Sequence, residues 1–169
     1  ARPAFLLGSL QGPDLAKFNR LVSRFDTLRR PVTRHVRSDG SVRSRRWLAS
    51  EVLGPQWDHA VALVEFDAGV TDATLAAYEH AERMVIVRAG CGFLYTSDAT
   101  IDEFAKKGLG DVDTIALQPG SAVLLTRGFI HGIAGHEEQS LQLLVCHVPF
   151  VDPEDARYTT IAKWLMWAS

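Results

Sequence analysis

The run LQPGSAVLLTRGFIHGIAG, residues 117–135, stays apolar for most of its length and then sets one histidine between two glycines. Gly120 closes a turn after LQP, SAVLL has the composition of a strand, and TRG makes a tight turn that reverses the chain. This spacing places His131 at the start of the next strand. In a small antiparallel barrel a side chain at that point faces the mouth of the cavity, where an imidazole is suited to metal ligation or proton transfer. His131 is therefore the first candidate for a functional residue.

The central part of the chain consists of short β-rich runs bounded by Gly, Pro, Asp or Ser, such as HAVALVEFDAG, RMVIVRAGCGFLYTSD and SLQLLVCHVPF. No long helix is expected between them, although DATIDEFAKKGLGDVD has the composition of a surface excursion with one turn of helix. Several short strands with regular turn residues predict an all-β fold, an antiparallel barrel or sandwich.

The two flanks have other patterns. Apolar residues recur at helical spacing in GPDLAKFNRLVSRF, residues 12–25, which predicts a short amphipathic helix. Asp39 and Gly40 then lie between two alternating runs, as is typical of a hairpin. Residues 153–167 return to helical spacing. We predict one structural domain made of a helix and hairpin extension at 1–46, a β-barrel at 47–151 and a C-terminal helix at 152–169.

Composition excludes some classes of function. With 169 residues, 47% of them hydrophobic, the chain can bury one core, and a net charge of −2 argues against a nucleic-acid partner. No apolar run approaches the roughly 20 residues that span a bilayer, so no membrane partner is expected. Cys91 and Cys146 lie in apolar stretches without a CxxC pair, which suits free thiols in a reducing compartment. We expect a cytoplasmic protein whose partner is a small-molecule substrate.

The glycine–histidine run resembles the second motif of the cupin superfamily, G(X)5PXG(X)2H(X)3N. Gly120, Gly128 and His131 occupy its positions, while Thr126 stands in place of the proline and Gly135 in place of the asparagine. The resemblance implies a cupin-type antiparallel β-barrel, or jelly roll. It also implies a homodimer, for which the C-terminal IAKWLMW and the N-terminal helix offer apolar surface.

The first cupin motif, G(X)5HXH(X)3,4E(X)6G, is matched only at its end by VIVRAG, residues 85–90. Arg83 stands where the motif has its glutamate, and the two histidine positions fall among residues 76–79. In this motif two histidines and a glutamate hold a divalent metal together with the later histidine. Because this sequence lacks those residues at the motif positions, the ligands of any metal have to come from neighbouring residues.

Strand parity gives two alternatives for these ligands, because alternate residues share a face. One register, which needs a one-residue bulge before Gly90, turns these residues inward: Tyr78, His80, Glu82, Met84 and Ile86. We favour it, because His80, Glu82 and His131 would then hold Fe, Mn, Ni or Zn, with Tyr78 as a proton donor.

The other register turns Glu79, Arg83, Val85 and Val87 inward. Glu79 and Arg83 would then line the cavity, and Arg83 would face an anionic ligand without a metal. His147 alternates with Leu143 and Val145 on the last strand and could face the cavity to bind substrate, although a buried histidine bonded to a backbone carbonyl is the more common case.

Three functions follow from these alternatives. The first is a metal-dependent cupin enzyme of the dioxygenase or lyase type, with His131 and Tyr78 as catalytic residues, acting on a small polar molecule. The second is a metal-free isomerase or epimerase with His131 as base and Arg83 neutralising an anionic substrate. The third is a cupin that binds a small molecule without catalysis, since a fold of this kind serves many functions.

Overall fold

In the computed structural model the described residues are 4–26, 32–36, 42–47, 61–71, 73–75, 77–78, 81–108, 110–148 and 163–164. Twelve strands and two helices are assigned within them. In chain order these are β1 Ala4–Ser9, α1 Gly12–Asp26, β2 Val32–Val36, β3 Val42–Trp47, β4 Val61–Phe66, β5 Ala73–Thr74, β6 Glu82–Ala89, β7 Gly92–Thr100, α2 Ile101–Lys107, β8 Val112–Leu117, β9 Ser121–Leu125, β10 Phe129–Gly135, β11 Leu141–Val148 and β12 Lys163–Trp164.

Two antiparallel sheets form most of the structure. One has seven strands in the order β1-β9-β6-β11-β4-β3-β2, and the other has three in the order β10-β7-β8. Strands that are distant in sequence lie side by side, as when β9 pairs with both β1 and β6. The predicted all-β antiparallel fold is confirmed.

The core lies between these two sheets and is built by alternation along each strand. In β6 every second residue is buried, and Val85 and Val87 are both fully buried there. In β11 the buried partners are Leu143 and Val145, which lie opposite Val87 and Val85 in the ladder. Among the described residues, fourteen that are buried form this main core. Their burial is the largest favourable contribution to folding.

The helix α1 covers the outer face of the large sheet. It begins at Gly12, has Asp14 in its first turn, and confirms the helix that the sequence predicts. Val22 and Phe18 pack against Leu144 of β11. The apolar face that we expected to contact a second copy therefore contacts the chain's own sheet.

The hairpin at Asp39 and Gly40 is flanked by β2 and β3, which pair antiparallel, although the two turn residues lie outside the described part. Strand β3 also pairs with β4, so the hairpin continues the large sheet. No helix in the described part of the chain is long and apolar enough to cross a membrane.

At the C-terminus, Lys163 and Trp164 form strand β12 and pair with Thr74 and Ala73. The predicted helix is wrong at these two residues, because their backbone groups bond to another strand. The rest of 152–169 lies outside the described residues.

Candidate functional site

His131 is carried by the turn that the sequence predicts between β9 and β10. Gly128 has a φ of 83°, a left-handed conformation that favours glycine, and its N–H donates to the Tyr78 carbonyl at 2.6 Å. Strand β10 then begins at Phe129 and brings His131 opposite Thr96 of β7. His131 is 4% exposed. The imidazole is thus held inside the barrel, as expected.

Arg83 is the second member of the site. It lies on the same face of β6 as Val85 and Val87 and is 8% exposed. Its Nη1 lies 3.0 Å from Nε2 of His131. A buried cation is therefore paired directly with the motif histidine.

The register that we favoured for β6 is wrong, and the alternative with Arg83 inward is observed. The ladder between β6 and β11 does shift beside Val87 and Ala89, so the required bulge exists. It nevertheless leaves Glu82, Met84 and Ile86 on the outer face. Ile86 packs there against the cluster that includes α1, which explains why both faces of this strand are apolar in sequence.

Tyr78 and His147 complete the arrangement. The Tyr78 ring is stacked on that of His131 with centroids 5.6 Å apart, and it meets His147 edge-on at 5.0 Å. The central guanidinium carbon of Arg83 lies 5.3 Å from the Tyr78 ring centroid, within the range of a cation–π interaction. His147 lies opposite Arg83 in the ladder and is 4% exposed. We call Tyr78, Arg83, His131 and His147 the inner polar cluster.

The electrostatics of the inner polar cluster fix the state of His131. Burial lowers the pKa of its imidazole to about 3, helped by the positive charge of Arg83 and opposed by a hydrogen bond to the Phe129 backbone. Because a guanidinium can only donate, Nε2 accepts from Arg83 and the ring proton lies on Nδ1. The imidazole is therefore neutral near pH 7 and has little tendency to take up a proton.

Glu82 belongs to a different part of the molecule. Its carboxylate accepts two hydrogen bonds from Arg127, one from the backbone N–H and one from Nε, each at 2.9 Å. It lies on the outer face of β6, away from the inner polar cluster. Glu79 and His80, predicted as substrate and metal ligands, lie outside the described residues.

The described residues do not fit the metal site that we predicted. Within this part of the chain, no group of three or more His, Cys, Asp or Glu side chains is placed to hold a metal ion. Nε2 of His131, the nitrogen that faces the cluster, already accepts from Arg83. A divalent cation there would also meet the positive charge of the guanidinium at close range, which is repulsive.

Thr96 is a residue that sequence reasoning missed. It is 3% exposed and lies directly opposite His131, so both side chains share one face of the small sheet. Strand parity in GFLYTSDAT could have indicated this residue. Thr96 stands two positions after Leu94, which is fully buried, so both side chains belong to the same face of β7.

No protein-family model and no curated protein matches this sequence. Solved structures do match. They include the capsular polysaccharide assembling protein CapF from Staphylococcus aureus, at 12% identity and a TM-score of 0.52 over 75% of this chain and 33% of CapF. The chain spans about a third of the length of that protein.

Two further structures match along more of their own length. A predicted oxalate decarboxylase from Thermotoga maritima matches at 14% identity with a TM-score of 0.51, over 70% of this chain and 92% of the other. Fe(II)-HppE with an alternative substrate matches at 16% identity with a TM-score of 0.51, over 69% of this chain and 55% of the other. The chain has the cupin fold. At such low sequence identity the structural likeness shows the fold alone, so the function has to be argued from the inner polar cluster.

Proposed function

We propose that this cupin-fold protein binds a small molecule with a carboxylate or similar oxyanion at the inner polar cluster, without a metal. The observation that supports this most is the bond of 3.0 Å from Arg83 Nη1 to His131 Nε2. It sets a buried cation inside the barrel and occupies the nitrogen that a metal would need.

Arg83 has the chemistry of an anchor for an anion. A guanidinium presents five N–H donors in a planar fork that matches a carboxylate. Burying such a charge is costly, and its attraction for an anion is greater away from water. The neutral imidazole of His131 accepts from one arm of the fork and so orients the guanidinium.

Tyr78 and His147 supply the walls of this site. Their rings stand edge to face at 5.0 Å, and Tyr78 also packs against the guanidinium carbon at 5.3 Å. Aromatic walls beside a cation favour a small ligand that combines a charged group with an apolar or planar part.

Binding without catalysis is favoured over the isomerase alternative by the state of His131. A general base works best when its pKa lies near the working pH, and the pKa of His131 is lowered to about 3. The metal-dependent alternative is disfavoured by Glu82, whose carboxylate bonds to Arg127 on the other face of β6.

Calorimetric titration with acetate, malonate and glutarate at low ionic strength tests this function. We expect saturable binding of at least one of these anions by the wild type, and at least tenfold weaker binding by Arg83→Met. Arg88→Met is the matched control, because Arg88 is on the same strand and its Nη2 donates to Ser23 of α1 instead. Its affinity should equal that of the wild type.

Two results would contradict this function. One is equal affinity of the wild type and Arg83→Met for each of these anions, or no binding by either. The other is near-stoichiometric Fe, Mn, Ni or Zn that is lost in His131→Ala, measured by mass spectrometry after incubation with each metal.

We also propose that the chain forms a homodimer through β1. Phe5, Leu6 and Leu7 are 43%, 66% and 54% exposed on this edge strand, and AFLLGS carries no charge. The sequence of the opposite edge strand, VTRHV in β2, contains a charged residue, a composition typical of edge strands that do not pair with another chain. Antiparallel pairing of β1 with itself about a two-fold axis would cover the uncharged edge without like charges meeting.

Light scattering should show that the wild type is a dimer and that Leu6→Glu is a monomer. A monomeric wild type at micromolar concentration would contradict the homodimer proposal.

A further inference from the structure

We infer that Glu82 is a positioning residue for the inner polar cluster: it fixes the turn at residues 126–128, and this turn sets the places of Tyr78 and His131. This inference rests on the proposed function for its consequence in binding. Its structural part can be tested without any ligand.

The bond pattern of Glu82 is specific to one turn. Oε2 accepts from the backbone N–H of Arg127 and Oε1 accepts from its Nε, both at 2.9 Å. Both bonds are charge-assisted at the carboxylate, and the second joins it to a guanidinium. One carboxylate therefore holds the backbone and the side chain of the same residue, which fixes the turn more firmly than a single bond.

The contribution of the Glu82–Arg127 ion pair to folding stability does not explain these bonds. The side chains of Arg127 and Glu82 are 55% and 27% exposed, and ion pairs at such exposure contribute little to the free energy of folding.

The turn bonds to one member of the cluster and precedes another in the chain. Next to Arg127, the N–H of Gly128 donates to the Tyr78 carbonyl at 2.6 Å. Tyr78 lies outside the strands, so this bond ties a residue without ladder hydrogen bonds of its own to the barrel. His131 follows the turn by three residues, and the Phe129 backbone between them bonds to its ring.

Glu82 is also joined to the cluster through the chain. It precedes Arg83 in β6, and the two side chains leave the strand on opposite faces. The outer-face bonds to Arg127 and the inner-face bond to His131 therefore connect the same end of β6 to the turn and to the start of β10, respectively. Loss of the outer bonds should loosen Tyr78 and His131 together.

The test compares Glu82→Ala and Glu82→Gln with the control Glu65→Gln, which changes an exposed carboxylate on β4 of the same sheet. Amide hydrogen exchange at Gly128 and the ring nitrogen signals of His131 are followed by NMR, and malonate affinity by calorimetry. In Glu82→Ala we expect at least tenfold faster exchange at Gly128, His131 signals that shift toward a mixture of the two tautomers, and severalfold weaker malonate binding. Glu82→Gln keeps one acceptor oxygen and loses the charge, so each of its changes should be smaller than in Glu82→Ala, while Glu65→Gln should match the wild type.

A purely structural role would lower the melting temperature without moving the His131 ring signals, and that result would overturn the inference. Unchanged Gly128 exchange in Glu82→Ala would also overturn it. If exchange and ring signals change but the wild type binds none of acetate, malonate and glutarate, the positioning of the cluster stands and the proposed function fails.

Discussion

The two ends of the barrel interior are lined from the same strands by opposite kinds of side chain. On β6 the inward residues pass from Val85 to Arg83, and on β11 they pass from Val145 to His147. At one end the side chains are apolar and fully buried, while the other end buries a cation and two imidazoles. Burial of polar groups costs free energy unless each is hydrogen-bonded, whereas burial of valine stabilises the fold. The apolar end is therefore expected to contribute most to stability, and the polar end carries the binding function that we propose for the inner polar cluster.

The largest effect on stability is expected at the apolar end. Leu143 is fully buried in the main core, so Leu143→Ala should lower the free energy of unfolding by about 2–5 kcal/mol through lost burial and a residual cavity. Urea denaturation gives this value. Leu21→Ala is the control, since Leu21 is 48% exposed on α1 and its loss should change stability by about 0.5 kcal/mol or less. An equal decrease in the free energy of unfolding in the two variants would contradict the assignment of Leu143 to the core and of Leu21 to the surface.

The next effect comes from the polar end and depends on pH. The pKa of His131 is about 3 in the folded protein against 6.5 for an ordinary histidine, so below pH 6.5 the unfolded chain binds a proton that the folded chain does not. Stability should then fall by about 1.4 kcal/mol per pH unit as the pH drops from 6.5 toward 3, with no such change above pH 6.5.

The matched variant for this pH effect is His131→Asn, which keeps an acceptor for Arg83 but has no imidazole to titrate. Unfolding free energies of both proteins are measured from pH 4 to pH 8. The slope below pH 6.5 should be smaller in the variant. Identical slopes would show that His131 is not held neutral by burial.

A double-mutant cycle at the polar end should show a smaller effect. Arg83→Met removes the donor to Nε2 of His131 and leaves a buried acceptor, at a cost of about 1–3 kcal/mol. In Arg83→Met with His131→Leu both polar partners are gone, and replacement of a buried polar pair by apolar groups is often neutral or stabilising. We expect the double variant to be at least as stable as the single one and to bind no malonate. A double variant much less stable than either single variant would mean that the pair serves folding.

The sequence alone led to the fold and to His131 because both depend on local spacing. A turn of fixed length between two apolar runs places the histidine whatever the other strands do. The face of β6 depends on a distant element, since α1 covers Ile86 and makes the outer face apolar too. Strand parity could not then separate inside from outside, and Glu82 was assigned to the cavity instead of Arg83. The predicted metal site depended on that assignment, and it does not fit the face on which Glu82 is observed.

The smallest effect on stability is expected on β7, the strand that passes from the apolar end of the barrel interior to the polar end. Leu94 of β7 is fully buried in the core, and two residues further Thr96 is 3% exposed beside His131. Thr96→Val exchanges a hydroxyl for a methyl group at nearly constant volume, so the free energy of unfolding should change by about 1 kcal/mol or less. If the polar end exists for binding, the loss of this hydroxyl should still weaken malonate binding severalfold, because a ligand held at Arg83 would lie within the same set of polar groups. Calorimetry on Thr96→Val decides this, and an unchanged affinity would confine the binding groups to the inner polar cluster and place Thr96 with the core.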